Sequence, residues 1–318
     1  MSSSDQSAAN TTLLRPPPQL EEYWLFIIMT TAPSCVFLYI NSTIIFTLGS
    51  KAVFYHTSRY ILLQNLLVAD TCQIAYSQVM FLIASARVRT TYVPCTAALL
   101  LGNFFNGVSP LTLTMMSLER FVAVCDPLRY PTIVTIQTTA QAVAGVWAFS
   151  ALNVLTRVLL LLRFRALDSV LMVDVCGQQN IFSDPASDLY SKAYFGFLFA
   201  SGSVVIASTY VGVVLAAKSA TTNKSSARKA RKTLLLHLVQ LVLSLLSAIH
   251  HPILFSVHSS LPKATAIRVQ ILLYLVVIIV PRCLSPLIYG LRDQTVRPVL
   301  LQHLCCGWRC SGSERQSQ

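Results

Sequence analysis

Charged side chains are scarce in this sequence. Only 11% of its 318 residues are Asp, Glu, Lys or Arg, whereas 54% are apolar and the mean hydropathy is +0.61. A soluble domain with this composition would have too little polar surface to cover its core, so we expect a membrane protein. Acids are the scarcer sign, with 12 Asp and Glu against 24 Lys and Arg, and the formal net charge is +12.

The sequence also lacks the short signatures of enzymes and transporters. No HExxH, GxSxG or Walker pattern occurs, and no internal repeat is visible. We therefore expect neither an enzyme, nor a cofactor, nor a metal site. The adjacent His250 and His251 do not change this expectation, because neighbouring residues on a helix point about 100° apart. A membrane transporter remains the alternative from a different functional class.

Long apolar runs are what the sequence has in abundance. A transmembrane helix needs about 20 apolar residues at a rise of 1.5 Å each. Seven stretches meet this requirement: 24–49, 59–84, 93–121, 137–162, 190–217, 233–257 and 266–291. The fold prediction is therefore an all-α membrane protein, a seven-transmembrane helix bundle. Residues 1–23 are polar and carry no signal-peptide pattern, so we expect a short N-terminal tail there, and a C-terminal tail at 292–318.

Lysine and arginine are unevenly distributed between the two sides of the predicted bundle. The side that holds the loops 120–136 and 218–232 and the C-terminal tail carries more of them, so the positive-inside rule predicts an extracellular N-terminus. A glycosylation sequon at Asn10 fits this orientation. The densest basic run, 224–232, lies beside a predicted span, so we expect it to contact anionic membrane lipid or an acidic cytoplasmic partner and no nucleic acid.

Nine cysteines are present, four of them inside predicted spans. Cys95 and Cys176 fall at predicted extracellular positions, and a single disulfide between them is the economical pairing; the alternative is two free thiols. Cys305 and Cys306 follow the last span and indicate palmitoylation of a short amphipathic C-terminal helix at the membrane surface. Pro298 would kink or break that helix.

An acid and an arginine stand side by side at the end of the third predicted span, in the stretch MSLERFVAVCDPLRY at 116–130. Charges are costly in hydrocarbon, so Glu119 and Arg120 are functional candidates unless Arg120 only extends its head group to water. This stretch, together with KARKTLLLHL at 229–238, resembles the signatures of the odorant (olfactory) receptors among the rhodopsin-like G-protein-coupled receptors. The resemblance covers about residues 25–297. Further matching positions are Asn41, Leu66, Ala69, Asp70, Trp147, Tyr210, Pro286 and Tyr289.

The resemblance implies a function and a mechanism. Residues 24–291 would form a receptor domain in the plasma membrane that binds a small-molecule odorant from outside and activates a heterotrimeric G protein of the Gs/Golf class. Glu119 would restrain Arg120 at rest, and Arg120 would meet the G protein. The residues implied in coupling or activation are Glu119, Arg120, Tyr210, Lys229, Lys232, Pro286 and Tyr289. A non-olfactory rhodopsin-like receptor for a small lipid or metabolite remains the alternative.

The sequence departs from the family pattern around Asp70. Ser285 replaces the asparagine of the NPxxY motif, and Ser109 stands where odorant receptors usually carry a glutamate. Arg282 is one turn before Ser285, and the only other charged residue of the predicted span 266–291 is Arg268, near its outer end. The depths of Asp70 and Arg282 differ by roughly 5 Å at 1.5 Å per residue, which a guanidinium can bridge. We predict an Arg282–Asp70 pair that replaces the sodium ion usually bound in related receptors; the alternative is an arginine that faces a wet cavity.

The outer half of the third span supplies the main ligand-binding candidates. In the stretch GNFFNG, at 102–107, helical spacing places Gly102, Asn103, Asn106 and Gly107 towards the bundle axis, as an uncharged floor with polar patches. Gly102 stands where amine receptors need an aspartate, so an amine anchored in that way is not expected. The excess of basic over acidic residues near the outer face favours an acidic or neutral ligand. The full set of candidates is Gly102, Asn103, Asn106, Gly107, Tyr194, Phe199, Ala248, His251 and Tyr274, with ordinary interhelical packing as the alternative for the last five.

Overall fold

The computed structural model describes most of the chain up to residue 219 and scattered positions after it. The described residues are 20–50, 52–86, 88–164, 172–173, 176–182, 184–219, 228, 232, 235–236, 238–239, 242, 265, 268–269, 272–280, 282–283 and 296–298. Outside them lie most of the predicted sixth span, parts of the seventh, and nearly all of both tails. The predicted glycosylation site at Asn10 and the palmitoylation sites at Cys305 and Cys306 lie outside them too.

Long helices occupy the first five predicted spans and extend each of them by a few residues. They are α1 (Leu20–Ser50), α3 (Ser58–Ser85), α4 (Tyr92–Cys125), α6 (Ile136–Phe164) and α8 (Pro185–Ser219). All five are long and apolar enough to cross a membrane. This architecture confirms the prediction of a helical membrane bundle.

Shorter elements connect the long helices. They are α2 (Ala52–Tyr55), α5 (Tyr130–Ile133), α7 (Gln178–Ile181), β1 (Thr90–Thr91) and β2 (Met172–Val173). The two strands pair antiparallel, with Thr90 opposite Val173, a small addition to the predicted all-α fold. In the predicted seventh span, Tyr274–Ile279 form a π-helix.

Side-chain caps determine where α6 and α8 begin. Before α6, the Thr135 hydroxyl accepts a hydrogen bond from the backbone N–H of Thr138 (3.1 Å), and the Thr138 hydroxyl accepts one from the backbone N–H of Thr135 (2.9 Å). This is a capping box with threonine in the place of the usual glutamate. Before α8, the Asp184 carboxylate accepts a hydrogen bond from the backbone N–H of Ser187 (2.8 Å), and Pro185 takes the first helical position.

The bundle is built around α4, which packs against α3, α6 and α8, while α1 packs on α3. Large apolar side chains face outward, where lipid would lie; Phe46 is 66% exposed and Phe197 is 62% exposed. The buried charged side chains of the described part are Asp70, Glu119, Arg157 and Arg282. Because charge is costly inside a membrane protein, these four side chains direct attention to functional sites.

Candidate functional site

A disulfide connects the N-terminal end of α4 to the segment before α7. Cys95 and Cys176 are bonded, with their Cα atoms 5.6 Å apart, which confirms the predicted pairing. Two residues further on, the Gln178 side-chain amide donates a hydrogen bond to Oδ1 of Asn103 (2.9 Å). The Asn103 amide nitrogen donates to the Leu99 carbonyl (2.9 Å). Asn103 is therefore buried and bonded through both ends of its amide, and a ligand that contacts it would have to replace one of these bonds.

The two glycines of the predicted ligand floor lie against neighbouring helices. A Cβ atom on Gly102 would overlap the ring of Tyr76 on α3, and one on Gly107 would lie 2.8 Å from the Tyr194 hydroxyl and 3.0 Å from Oγ of Ser150. Each glycine thus permits a close helix approach. The spacing argument placed Gly102 towards the bundle axis, where the Tyr76 ring lies against it, and ligand contact by either glycine stays a prediction.

The predicted aromatic walls take part in interhelical packing. Tyr194 is buried on α8 and stacks on Phe149 of α6, with ring centroids 5.9 Å apart. Tyr274 is buried against Phe81 of α3, with ring centroids 5.6 Å apart. Phe199 is half-buried on α8. These contacts are the packing alternative of the sequence analysis, and ligand contact by these residues stays a prediction. Ala248 and His251 lie outside the described residues.

A buried ion pair lies deep in the bundle. Nη1 of Arg282 is 3.1 Å from Oδ1 of Asp70, and both residues are almost fully buried. Ser109 donates a hydrogen bond to the same carboxylate oxygen (2.7 Å), and Nη2 of Arg282 donates to Oδ1 of Asn106 (3.1 Å). The expected contact between Arg282 and Asp70 is thus present, and Asn106 belongs to this cluster. Ser285, expected nearby, lies outside the described residues.

The chemistry of this Arg282 cluster is that of a compensated charge. A buried arginine is tolerated when a carboxylate neutralises it and polar groups take up its remaining donors. Here Asp70 supplies the negative charge and Asn106 supplies an acceptor, whereas Nε of Arg282 is buried without a hydrogen-bond partner. The guanidinium lies against the carboxylate oxygen that a bound cation would need. An amide and a hydroxyl from α4 complete the cluster, so it joins α3, α4 and the predicted seventh span.

A second ionic cluster lies near the C-terminal end of α4, at Glu119. Oε2 of Glu119 is 3.1 Å from Nε of Arg120, and Oε1 accepts a hydrogen bond from the Tyr130 hydroxyl (2.9 Å). Glu119 is 6% exposed and Arg120 is 17% exposed. Burial, then the neighbouring Glu119 carboxylate, raise the pKa of Tyr130 to about 12. Tyr130 therefore stays protonated and remains a hydrogen-bond donor over the whole physiological pH range.

The other predicted coupling residues are placed less completely. Tyr210 is half-buried on α8 and packs with Phe121 and Val124 of α4 around Val213. Lys232 is exposed, whereas Lys229, Pro286 and Tyr289 lie outside the described residues. Nη2 of Arg120 is buried and has no hydrogen-bond partner in the structure. The arginine is thus held from one side and keeps one donor nitrogen uncommitted.

Arg157 is the buried residue that the sequence analysis missed. It lies on α6, inside the predicted span 137–162, and is 2% exposed. The signal was available, because an ionisable residue inside a span is a functional candidate by default. A second omission is Asn65, which accepts a hydrogen bond from Nε1 of Trp147 (2.7 Å) and donates one to Thr112 (2.9 Å), so it ties α3 to α6 and α4.

Comparisons with known proteins agree with the resemblance seen in the sequence. The family model described as 7 transmembrane receptor (rhodopsin family) matches residues 24–289. Odorant receptor 131-2 of Danio rerio is 30% identical over 277 residues, which cover 86% of this chain and 83% of that protein. Human Olfactory receptor 9Q1 is 27% identical over 262 residues, 77% of this chain and 79% of that protein. Olfactory receptor 1f45 of Rattus norvegicus is 27% identical over 224 residues, 68% of this chain and 69% of that protein. The family match begins in the first predicted span and ends in the last.

Proposed function

Because this chain belongs to the rhodopsin family of seven-transmembrane receptors, as a divergent member of its olfactory type, we propose that it binds a small molecule from the extracellular side and activates a G protein of the Gs/Golf class. Multi-pass insertion in the plasma membrane and a heterotrimeric G protein as partner are what this family implies. The N-terminus would lie outside, as the distribution of lysine and arginine favours.

The ionic cluster at Glu119 carries the proposal. Glu119 binds Arg120 through one oxygen and Tyr130 through the other, so both acceptor atoms of the carboxylate hold the end of α4 in one arrangement. A receptor needs such a restraint, because a ligand can shift an equilibrium only if two arrangements differ in their contacts. Release of Arg120 would present a cation, already partly free of hydrogen bonds, to the G protein.

The Arg282 cluster would hold α3, α4 and the predicted seventh span together while Arg120 is released. Its guanidinium supplies the positive charge beside Asp70, so the receptor would not depend on a bound sodium ion there. Asn106 links that charge to α4, one turn from Asn103. A ligand that disturbs α4 near Asn103 would therefore act on a helix that holds both ionic clusters.

A cyclic AMP assay in cells tests the proposed coupling. Cells that express this chain with an olfactory-type Gα subunit would be exposed to pooled odorants that include carboxylic acids. We expect a ligand-dependent rise in cyclic AMP that Arg120→Ala abolishes at equal surface expression, because the variant removes the cation that would meet the G protein.

Arg129→Ala is the matched control. Arg129 lies at the same end of the bundle, 78% exposed and 3.9 Å from the exposed carboxylate of Asp126, so the same change there should leave the response intact. No rise from well-expressed receptor, or a rise that survives Arg120→Ala, would contradict the proposed coupling.

A further inference from the structure

A polar cluster between α6 and α8 surrounds Arg157. Its Nη1 donates a hydrogen bond to Oγ of Ser191 (2.8 Å), and its Nε donates to Oδ1 of Asn153 (3.3 Å). The guanidinium carbon lies 5.6 Å from the ring centroid of Tyr190 and 5.8 Å from that of Phe182. The cation is therefore fixed in position by four neutral side chains, two of them aromatic.

The positive charge of Arg157 has no acid beside it in the part of the chain that the structure describes. Two carboxylates lie close in sequence to Ser187, one just before α8 and one in its first turn, but each has another partner. Asp184 caps the helix through the Ser187 backbone, and Asp188 pairs with the exposed Lys192 at 2.6 Å. A buried, unpaired charge is costly, so a site of this kind is completed by something that supplies negative charge.

Hydrogen-bond donors in the same cluster are also left without acceptors. Nη2 of Arg157, Nδ2 of Asn153 and Oγ of Ser187 are all buried and have no hydrogen-bond partner in the structure. All three residues are only 2% exposed. Ser187 is one turn before Ser191, the residue that Arg157 contacts, and Asn153 is one turn before Arg157 on α6, so the three unpartnered groups belong to one neighbourhood.

We propose that Arg157, Asn153 and Ser187 form a buried site for the carboxylate of a small organic ligand. The inference rests on the proposed function in one respect, since it takes the occupant to be the ligand of the receptor. One guanidinium matches one negative charge, which favours a monocarboxylate over a dianion such as a phosphate monoester. A guanidinium nitrogen, an amide nitrogen and a hydroxyl are all able to donate to carboxylate oxygens. The N–H groups of a guanidinium donate in its plane, so such bonds form at its edge.

The site is distinct from the apolar cavity on the other side of α6. That cavity, of about 210 Å³, is lined by Tyr92, Thr96 and Leu100 of α4 and by Val158, Leu161 and Leu162 of α6. At 100° per residue, its α6 lining is centred about 90° around the helix from Arg157. The cavity therefore faces α4, whereas Arg157 faces α8, and the polar site does not depend on the cavity.

Thermal unfolding of the purified full-length receptor tests the proposal without a G protein. A ligand that binds the folded state raises the unfolding midpoint, by an amount that grows with the logarithm of one plus the ratio of ligand concentration to Kd. Sodium hexanoate is the probe, 1-hexanol is the neutral analogue of equal chain length, and sodium chloride at equal ionic strength is the inorganic anion. We expect hexanoate to raise the midpoint of the wild-type receptor, at concentrations where hexanol and chloride raise it less.

Two substitutions of arginine by glutamine identify the site. Arg157→Gln should weaken hexanoate binding at least about tenfold, because charge-assisted hydrogen bonds to the carboxylate are lost. Arg163→Gln is the matched control, since Arg163 is on the same helix and exposed, and it should leave binding unchanged. If Arg157→Gln does not yield folded receptor, Ser191→Ala keeps the charge but removes the bond that orients it, and should weaken hexanoate binding several-fold.

The outcomes separate this inference from the proposed coupling. Equal hexanoate binding by wild type and Arg157→Gln, or by Ser191→Ala where only that variant folds, would overturn the carboxylate site. Stabilisation by chloride that equals that of hexanoate and needs Arg157 would assign the site to inorganic anions and overturn it as well. Hexanoate binding that needs Arg157 without any cyclic AMP response would support the site and contradict the coupling. A cyclic AMP response only to neutral compounds, unaffected by Arg157→Gln, would support the coupling and contradict the carboxylate site.

Discussion

Arg282 and Arg157 are buried to the same degree, 3% and 2% exposed, yet their surroundings differ in kind. Arg282 faces the carboxylate of Asp70 and the amide of Asn106, so its charge is neutralised inside the bundle. Arg157 faces a hydroxyl, an amide oxygen and two aromatic rings, and no acid of the described part neutralises it. Burial alone therefore does not reveal what a membrane arginine does; the charge of its partners does.

The partners also differ in what they would lose. Asp70 depends on Arg282 for its counter-charge, and Arg282 depends on Asp70 for the same reason. The partners of Arg157 each keep another bond, because Oγ of Ser191 donates to the Ser187 carbonyl (2.8 Å) and Oδ1 of Asn153 accepts from the Tyr190 hydroxyl (3.2 Å). Arg282 thus belongs to a closed pair, whereas Arg157 can be removed without leaving an isolated charge.

Asp70→Asn should have the largest effect on stability, since it leaves the Arg282 guanidinium buried without a counter-charge. Breaking one partner of a buried pair costs about 3–5 kcal/mol. The measurement is the free energy of unfolding of the purified receptor, together with its surface expression in cells. Asp188→Asn is the matched control, because that carboxylate is 58% exposed beside Lys192, and the change there should cost less than about 1 kcal/mol.

The double variant Asp70→Asn, Arg282→Met makes the test sharper. With both charges gone, much of the lost stability should return, and the two changes should be non-additive by about 1–3 kcal/mol. Strict additivity, or an Arg282→Met receptor that behaves as wild type while Asp70→Asn does not, would show that the two side chains do not stabilise each other.

The helices and the closed pair were predictable from the sequence, for the same physical reason. Long apolar runs define helices of known rise, and the rise converts residue number into depth, so Asp70 and Arg282 could be paired across 212 residues of chain. The cap formed by Thr135 and Thr138 was not anticipated. Its effect on the prediction is small, because α6 begins at Ile136, one residue before the predicted start at 137.

The neighbours of a side chain across two helices were not predictable in this way. Helical spacing assigns a residue to a face of its own helix, but the register of the next helix decides what fills the space there. Spacing placed Gly102 towards the bundle axis, but it could not show that the ring of Tyr76 on α3 packs against this glycine. The neutral surroundings of Arg157 depend on the register of α8 relative to α6, which single-sequence reasoning cannot supply.

Arg157→Met should change the free energy of unfolding by about 1 kcal/mol or less, several-fold below Asp70→Asn. The lost hydrogen bonds and ring contacts are offset by relief from burying an uncompensated charge, and every former partner keeps a bond. Urea unfolding of the purified, ligand-free receptor measures the difference. A loss of about 3 kcal/mol or more, the size expected for a broken buried ion pair, would mean that an acid pairs with Arg157 and that the contrast with Arg282 is false.

Tyr130→Phe should have the smallest effect on stability and still alter signalling. Glu119 contacts both Arg120 and Tyr130, so the loss of the Tyr130 hydroxyl changes the restraint on Arg120. The variant removes one of two bonds to Glu119, at a cost of about 0.5 kcal/mol for a hydroxyl that is only partly buried, and should raise basal cyclic AMP by loosening the restraint on Arg120.

The pKa of Tyr130 is about 12 when folded and 10.0 as a free side chain. A raised pKa means that the bond contributes fully below pH 10 and is lost as the pH rises towards 12. The difference in unfolding midpoint between wild type and Tyr130→Phe should therefore stay constant between about pH 6 and about pH 9, and shrink above about pH 10. A difference that instead disappears near neutral pH would show that another titrating group, and not the Tyr130 hydroxyl, controls the contact with Glu119.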